Sequence, residues 1–207
     1  QNTFEKLGTT ALNIDDKCKN ISVTENCFED ICAGAISIGN EEQRNNISKK
    51  LISDDTEIFD NNIKNTGTHY TGIPAVMVYN AENLKMSGNI IGNLTGADLY
   101  IGWDCGRLSN VNAGCKIYEN SFENGGVILA SGYKDAEISK NTFKGSGIYF
   151  ENYANGFKIF GNTFDVTGKW LNMWSSNTAG VTVSGNRIIN SDGYTLKGEN
   201  TIFENNQ

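Results

Sequence analysis

The sequence predicts an all-β protein, a right-handed parallel β-helix of about eight coils. A short phrase recurs along the chain: an apolar residue, two residues of any type, asparagine, one residue of any type, and another apolar residue. Its copies lie roughly twenty to thirty-five residues apart, a variable period that is typical of a solenoid and not of a globular core. A second strand-like piece, often introduced by Gly or Ala, lies between most copies, so each coil supplies at least two short strands.

The asparagines of this phrase predict a ladder along one corner of the helix. Asparagine tolerates left-handed backbone conformations and bonds local backbone groups, and in a stack its amide can also donate and accept along the axis. We therefore expect these asparagines to shape turns and to do no chemistry. The expected members are Asn26, Asn61, Asn89, Asn120, Asn141, Asn162 and Asn186, with Asn2 opening the series and Asn205 closing it incompletely.

Residues 1–207 are expected to form a single β-helix domain. The 23 glycines, the single proline and the 38% of hydrophobic residues fit an extended β-protein with a narrow core. Both ends of the sequence lie inside the repeated phrase, which predicts a segment of a longer chain. No stretch approaches the length of a membrane helix. We expect a secreted or cell-surface protein, whose signal peptide would lie upstream of this segment.

Charge and cysteine usage narrow the classes of partner. A net charge of −7 without a basic stripe argues against nucleic acid. With one histidine and no CxxC pair, a zinc site is not expected, and no cofactor is predicted. Cys105 and Cys115 bracket a loop that a disulfide could close in an oxidising compartment, and the sequence leaves the pairing open.

Three consecutive enlarged coils predict a binding groove. The extra length lies in residues 39–55, 67–74 and 103–114, whereas the later coils are compact. Insertions in repeat proteins map to loops that often crowd one face and form the binding site. The partner expected there is a polysaccharide or oligosaccharide.

Alternation along the second strand of each coil indicates which side chains face that groove. Placing Ile38, Val78 and Ile101 inward turns aromatic and acidic residues outward. Exposed tyrosine and tryptophan rings can stack on sugar C–H faces while acids bond hydroxyl groups. The predicted substrate-binding residues are Trp103, Tyr100, Tyr79, Tyr70, Arg107, Tyr149 and Glu151.

Three pieces in this part of the chain carry a family resemblance. They are Gly72–Tyr79, the asparagine coil Ser87–Ile91, and Ala97–Asp104, and the likeness covers roughly residues 61–124. Their order resembles the right-handed parallel β-helix proteins related to glycoside hydrolase family 141 and, more distantly, family 120. The resemblance implies an extracellular carbohydrate-active protein that hydrolyses its substrate through paired carboxylates. Asp98 and Asp104 stand where the family phrase commonly has glycine, so no catalytic pair is carried over.

The catalytic candidates are therefore chosen from the chemical requirements of glycoside hydrolysis. Glycoside hydrolysis needs two carboxyl groups about 5 Å apart for retention, or roughly 6.5–9.5 Å for inversion. Coils stacked about 4.8 Å apart can supply either spacing. Asp104, beside Trp103 in an enlarged loop, is the first candidate, and Asp98 is the second. His69, the only histidine, could orient a carboxylate or bind a sugar hydroxyl.

Two other functions remain open. A polysaccharide lyase would need an acidic Ca²⁺ cluster and a basic residue near the uronate, for which Arg107 and Arg44 are candidates. A non-catalytic glycan-binding or adhesin-like segment would need the sugar-binding face alone.

Overall fold

The chain is a stack of short parallel strands. The computed structural model describes residues 1–40, 52–102, 112–129 and 133–207, and these contain no helix. The strands form three long sheets, named A, B and C in the order in which the chain visits them on each coil. Each strand pairs in parallel with its equivalent in the neighbouring coils. The predicted right-handed parallel β-helix is confirmed.

The described strands of the three sheets stack as follows. Sheet A contains Thr3–Glu5, Cys27–Ile31, Asn62–Thr66, Ile90–Gly92, Ser121–Phe122, Thr142–Gly145, Thr163–Val166 and Arg187–Asn190. Sheet B contains Leu12–Ile14, Ile36–Ile38, Val76–Val78, Leu99–Ile101, Val127–Leu129, Ile148–Phe150, Leu171–Met173 and Tyr194–Leu196. Sheet C contains Lys19–Thr24, Ser53–Phe59, Lys85–Ser87, Lys116–Tyr118, Glu137–Ser139, Lys158–Phe160, Thr182–Ser184 and Ile202–Glu204, with Ala81–Glu82 paired to Ser53–Phe59. A further pair joins Asn112–Ala113 to Tyr133–Lys134.

The asparagine ladder runs between sheets C and A. Each ladder asparagine donates its backbone N–H (2.9–3.1 Å) and its Nδ2 (2.8–3.2 Å) to Oδ1 of the asparagine in the next coil. The prediction for the last coil is wrong, because Asn186 donates to Asn206 and not to Asn205. Phe203 pairs with Val183 in sheet C, and that register places Asn206 in the ladder.

The left-handed conformation that the sequence analysis assigned to the ladder asparagines belongs to the residue before each of them. Glu25, Asp60, Glu119 and Lys140 have φ between 53° and 57°, and glycine or asparagine takes this position in other coils. Two consecutive residues therefore have different roles at this corner. One residue makes the turn, and the asparagine after it satisfies the buried polar groups.

The core is a column of side chains enclosed by the three sheets. The second residue after each ladder asparagine points inward. Where two adjacent coils both have phenylalanine at this position, the two rings stack. Ring centroids are 5.1 Å apart for Phe122 and Phe143 and 4.7 Å for Phe143 and Phe164. Within the part of the chain that the structure describes, no helix is long and apolar enough to cross a membrane.

Candidate functional site

The outer face of sheet B presents one side chain from the middle of each strand. The flanking residues of each strand are turned inward, as the alternation predicts. The outward column consists of Asn13, Ser37, Met77, Tyr100, Ile128, Tyr149, Asn172 and Thr195. The same alternation turns Met77 outward, but only 5% of this residue is accessible to solvent.

Met77 lines a pocket of about 320 Å³. The enlarged loop 67–74 forms one wall, and the first coils of sheet B form the floor. The lining residues are Thr10, Gly34, Ile36, Ser37, Gly72, Ile73, Pro74, Met77 and Tyr79. Most of this lining is apolar, and Thr10, Ser37 and Tyr79 each bring a hydroxyl group, a mixture that suits the surface of a sugar.

Backbone contacts hold loop 67–74 against the solenoid. The N–H groups of His69 and Tyr70 both donate to the carbonyl of Cys32, at 3.2 and 2.9 Å. The Thr95 hydroxyl donates to the carbonyl of Gly67 at 2.9 Å. Gly67 has a φ of 73°, and a Cβ there would lie 2.4 Å from the Thr95 hydroxyl. The loop is therefore fixed at both of its neighbouring coils, and the pocket wall is preformed.

Further along the same face, Tyr100 and Glu151 meet. The Tyr100 hydroxyl donates to Glu151 Oε2 at 2.9 Å across two coils. Tyr149 points outward from the strand that precedes Glu151, and Trp174, 56% exposed, comes directly after the next strand of sheet B. Tyr100, Tyr149 and Glu151 were all predicted as site residues, and the structure places them on one face.

Asp98 is fully buried at the start of the strand that carries Tyr100. Its Oδ2 accepts hydrogen bonds from the backbone N–H groups of Gly125 (3.0 Å) and Gly126 (2.8 Å) in the next coil. Its Oδ1 is buried and has no hydrogen-bond partner among the described residues. Burial raises the pKa of Asp98 to about 7, although the glycine N–H groups oppose the shift. The carboxyl group thus joins two coils, and its catalytic role stays a prediction.

His69 and Tyr70 lie on the exposed side of loop 67–74. Nδ1 of His69 is 3.6 Å from Sγ of Cys32, and the histidine side chain is open to solvent. Tyr70 is 55% exposed and does not line the pocket. Neither contacts Asp98 or Glu151 through a described hydrogen bond, so a catalytic role for His69 also stays a prediction.

Several predicted residues lie outside the described part of the chain: Trp103, Asp104, Arg107, Arg44 and Cys105. Within the described ranges, no group of three or more histidine, cysteine, aspartate or glutamate side chains is placed to hold a metal ion. Sequence reasoning missed Ile73 and Pro74 as lining residues, although both fall in an insertion that it had marked.

Comparison with known proteins bears on the fold. No family model matches the chain, and no curated protein matches it. Two solved structures of PfbA, a surface adhesin of Streptococcus pneumoniae, are similar, with TM-scores of 0.70 and 0.65 at 15% and 14% identity. The alignments cover 96% and 89% of this chain, and 66% and 51% of the adhesin chains. A glycoside hydrolase structure has a TM-score of 0.62 at 13% identity, over 99% of this chain and 35% of that one. At such identities the likeness shows the β-helix fold.

Proposed function

We propose that this protein binds a carbohydrate chain along the outer face of sheet B. The observation that carries the proposal is the Met77–Tyr79 pocket, which opens onto the same face as the Tyr100–Glu151 pair. Apolar and aromatic walls can pack on the C–H faces of a sugar, and Glu151 can accept hydrogen bonds from its hydroxyl groups. A surface or extracellular location is part of the proposal, and the similar adhesin supports it.

The test is binding to a panel of plant, algal and host polysaccharides. Tyr79→Ala should weaken binding about tenfold, because it removes an aromatic ring from the pocket lining. Glu151→Gln should weaken it less, because the amide still bonds to hydroxyl groups. Ile90→Ala is the matched control, since this 49% exposed side chain lies on sheet A. Equal binding by Tyr79→Ala and the wild type would contradict the proposed site.

Hydrolysis of the bound glycan is the second candidate function. Glu151 provides a half-buried carboxyl group on the binding face, and a glycoside hydrolase shares the fold. Hydrolysis would need a second carboxyl group besides Glu151. The candidates from the sequence are Asp104, which follows the Tyr100 strand in the chain, and Asp98.

Mass spectrometry of glycans incubated with the protein distinguishes the candidates. Saturated products that disappear with Asp104→Asn would support hydrolysis, and Asp98→Asn tests the buried carboxyl group in the same way. Products lighter by one water would indicate a lyase and direct attention to Arg107 and Arg44. Binding without any product would leave carbohydrate recognition as the function.

A further inference from the structure

The outer face of sheet C carries aromatic rings at a regular spacing. The residue two positions before each ladder asparagine points outward, and aromatic residues alternate there with serine. Along successive coils, the strand register gives Phe59, Ser87, Tyr118, Ser139 and Phe160. The three rings are therefore two coils apart, or about 9.6 Å.

Hollows lie between the rings, over the two serines. Ser87 and Ser139 point away from the core, yet only 5% and 3% of their surfaces are accessible. Aromatic residues flank both serines, and the three rings remain partly accessible: Phe59 is 43% exposed, and Tyr118 and Phe160 are half-buried. One hollow of about 220 Å³ over Ser87 is bordered by Phe59 and Tyr118. Another, of about 510 Å³ over Ser139, is bordered by Tyr118 and Phe160.

Lysines stand beside the rings at the same period. Lys116 and Lys158 point outward from the strands that carry Tyr118 and Phe160, two coils apart. Neither makes an ion pair within the described ranges of the chain.

The other charges around the hollows have partners. Lys85 bonds Glu57 at 2.8 Å, and Lys140 lies 3.5 Å from Glu119. Glu137, between the two unpaired lysines, accepts from the Ser139 hydroxyl at 3.2 Å. Lys116, Glu137 and Lys158 lie in register on successive coils, so the two lysines and the single carboxylate between them give this row a net charge of +1.

We propose that this face of sheet C binds a linear acidic polysaccharide that carries one carboxylate per disaccharide. Two coils match the length of two sugars in an extended chain, so every second ring of the polymer can stack on an aromatic face. The carboxylate of each disaccharide then reaches Lys116 or Lys158 and can accept a charge-assisted hydrogen bond from the ammonium group. Stacking fixes the register, and the lysines select an acidic chain over a neutral one.

This site is distinct from the one proposed on sheet B, because the two lie on different faces of the solenoid. One of the two proposed sites can be disproved while the other is supported. The distinction is testable, since Tyr79→Ala affects only the sheet B face and Tyr118→Ala affects only the sheet C face.

The experiment is calorimetric titration with hyaluronan oligosaccharides, which have this repeat. Phe59 to Phe160 spans four coils, about 19 Å, so affinity should rise from the tetrasaccharide to the hexasaccharide and then level off. Tyr118→Ala and Phe160→Ala should each weaken binding about tenfold. Lys116→Gln should weaken it about three- to fivefold at low salt and less at high salt.

Matched variants separate recognition from folding. Tyr118→Phe keeps the ring and should keep the affinity, whereas Glu137→Gln removes a repelling carboxylate and should raise it. Lys144→Gln, on sheet A, should change nothing.

The proposal would be overturned by no binding of hyaluronan, by equal binding of a neutral chitin hexasaccharide, or by unchanged affinity in a Tyr118→Ala variant that melts like the wild type. Binding to heparin that ignores the ring variants would indicate a nonspecific charge effect and would equally overturn it.

Discussion

Replacing one interior asparagine of the ladder should destabilise the whole solenoid, and Asn141 is the best position to test. Its Oδ1 accepts both the backbone N–H and Nδ2 of Asn120, at 3.0 Å each. Its own Nδ2 donates to the carbonyl of Ile117 and to Oδ1 of Asn162. Asn141→Ala therefore removes the acceptor of a buried backbone N–H and deletes two donated bonds.

The cost follows from those partners. An orphaned buried N–H costs about 1–3 kcal/mol, and each lost hydrogen bond costs about 1 kcal/mol. Asn120 Nδ2 keeps two carbonyl partners, so it adds little. The expected loss in the free energy of unfolding is about 3–5 kcal/mol. Asn2→Ala is the control, because Asn2 only donates, through part-buried bonds to Asn26, and should lose less than about 1 kcal/mol from its side chain.

Urea denaturation followed by far-UV circular dichroism measures both variants against the wild type. A matching decrease for Asn141→Ala and Asn2→Ala would refute the reasoning, because the ladder would then contribute no more inside the stack than at its first coil.

Two further predictions concern stability. The pKa of Asp98 is about 7 in the folded protein and near 4 in an unfolded chain. Its contribution to the free energy of unfolding is therefore fully present below pH 4 and is lost as the pH rises through 7. The expected loss in the free energy of unfolding is about 4 kcal/mol. Asp98→Asn should therefore weaken the pH dependence of the melting temperature between pH 4 and 8. A pH dependence as steep as that of the wild type would show that it does not come from Asp98. Lys140→Gly should raise the free energy of unfolding by about 0.5–1 kcal/mol, because glycine adopts the left-handed φ of 56° without strain. Lys144→Gly, within a strand of sheet A, should lower it in the same urea titration, and a loss of stability in both variants would count against the strain argument.

The parts of the fold that repeat could be predicted from the sequence. A ladder asparagine recurs along the stack, and inward apolar residues alternate with outward ones along the strands of sheet B. The alternation therefore gave the direction of the sheet B side chains, but it did not show that Met77 is covered. The error at the last coil arose from an asparagine doublet, Asn205 and Asn206, in which only the register of Phe203 with Val183 distinguishes the two.

The burial of Asp98 could not be read from alternation, because this residue precedes its strand. The register places it between Ala75, which has only a methyl side chain, and Gly126, which has none, and this leaves room for a carboxyl group inside the stack. A turn-like Gly-Ala-Asp sequence gives no sign of that space, which depends on residues far away in the chain.

The aromatic positions of sheet C could have been found from the sequence. Phe59, Tyr118 and Phe160 each come two residues before a ladder asparagine, and serine takes that position in the coils between them. The enlarged loops favoured sheet B as the binding face instead. The burial of Ser87 and Ser139, and the lack of an ion pair at Lys116 and Lys158 among the described residues, depend on the folded arrangement and could not be predicted from the sequence.

The most direct test of carbohydrate binding on sheet B uses the three methionines of the chain. Met77 lies in the outer pocket, whereas Met86 and Met173 are fully buried in the core. Methyl NMR of protein labelled with ¹³C-methyl methionine, titrated with each oligosaccharide of the panel, therefore carries its own controls. We predict that a binding glycan shifts the Met77 resonance and leaves the Met86 and Met173 resonances in place. A Met77 resonance that stays fixed when glycan binding is saturated would contradict the proposed site.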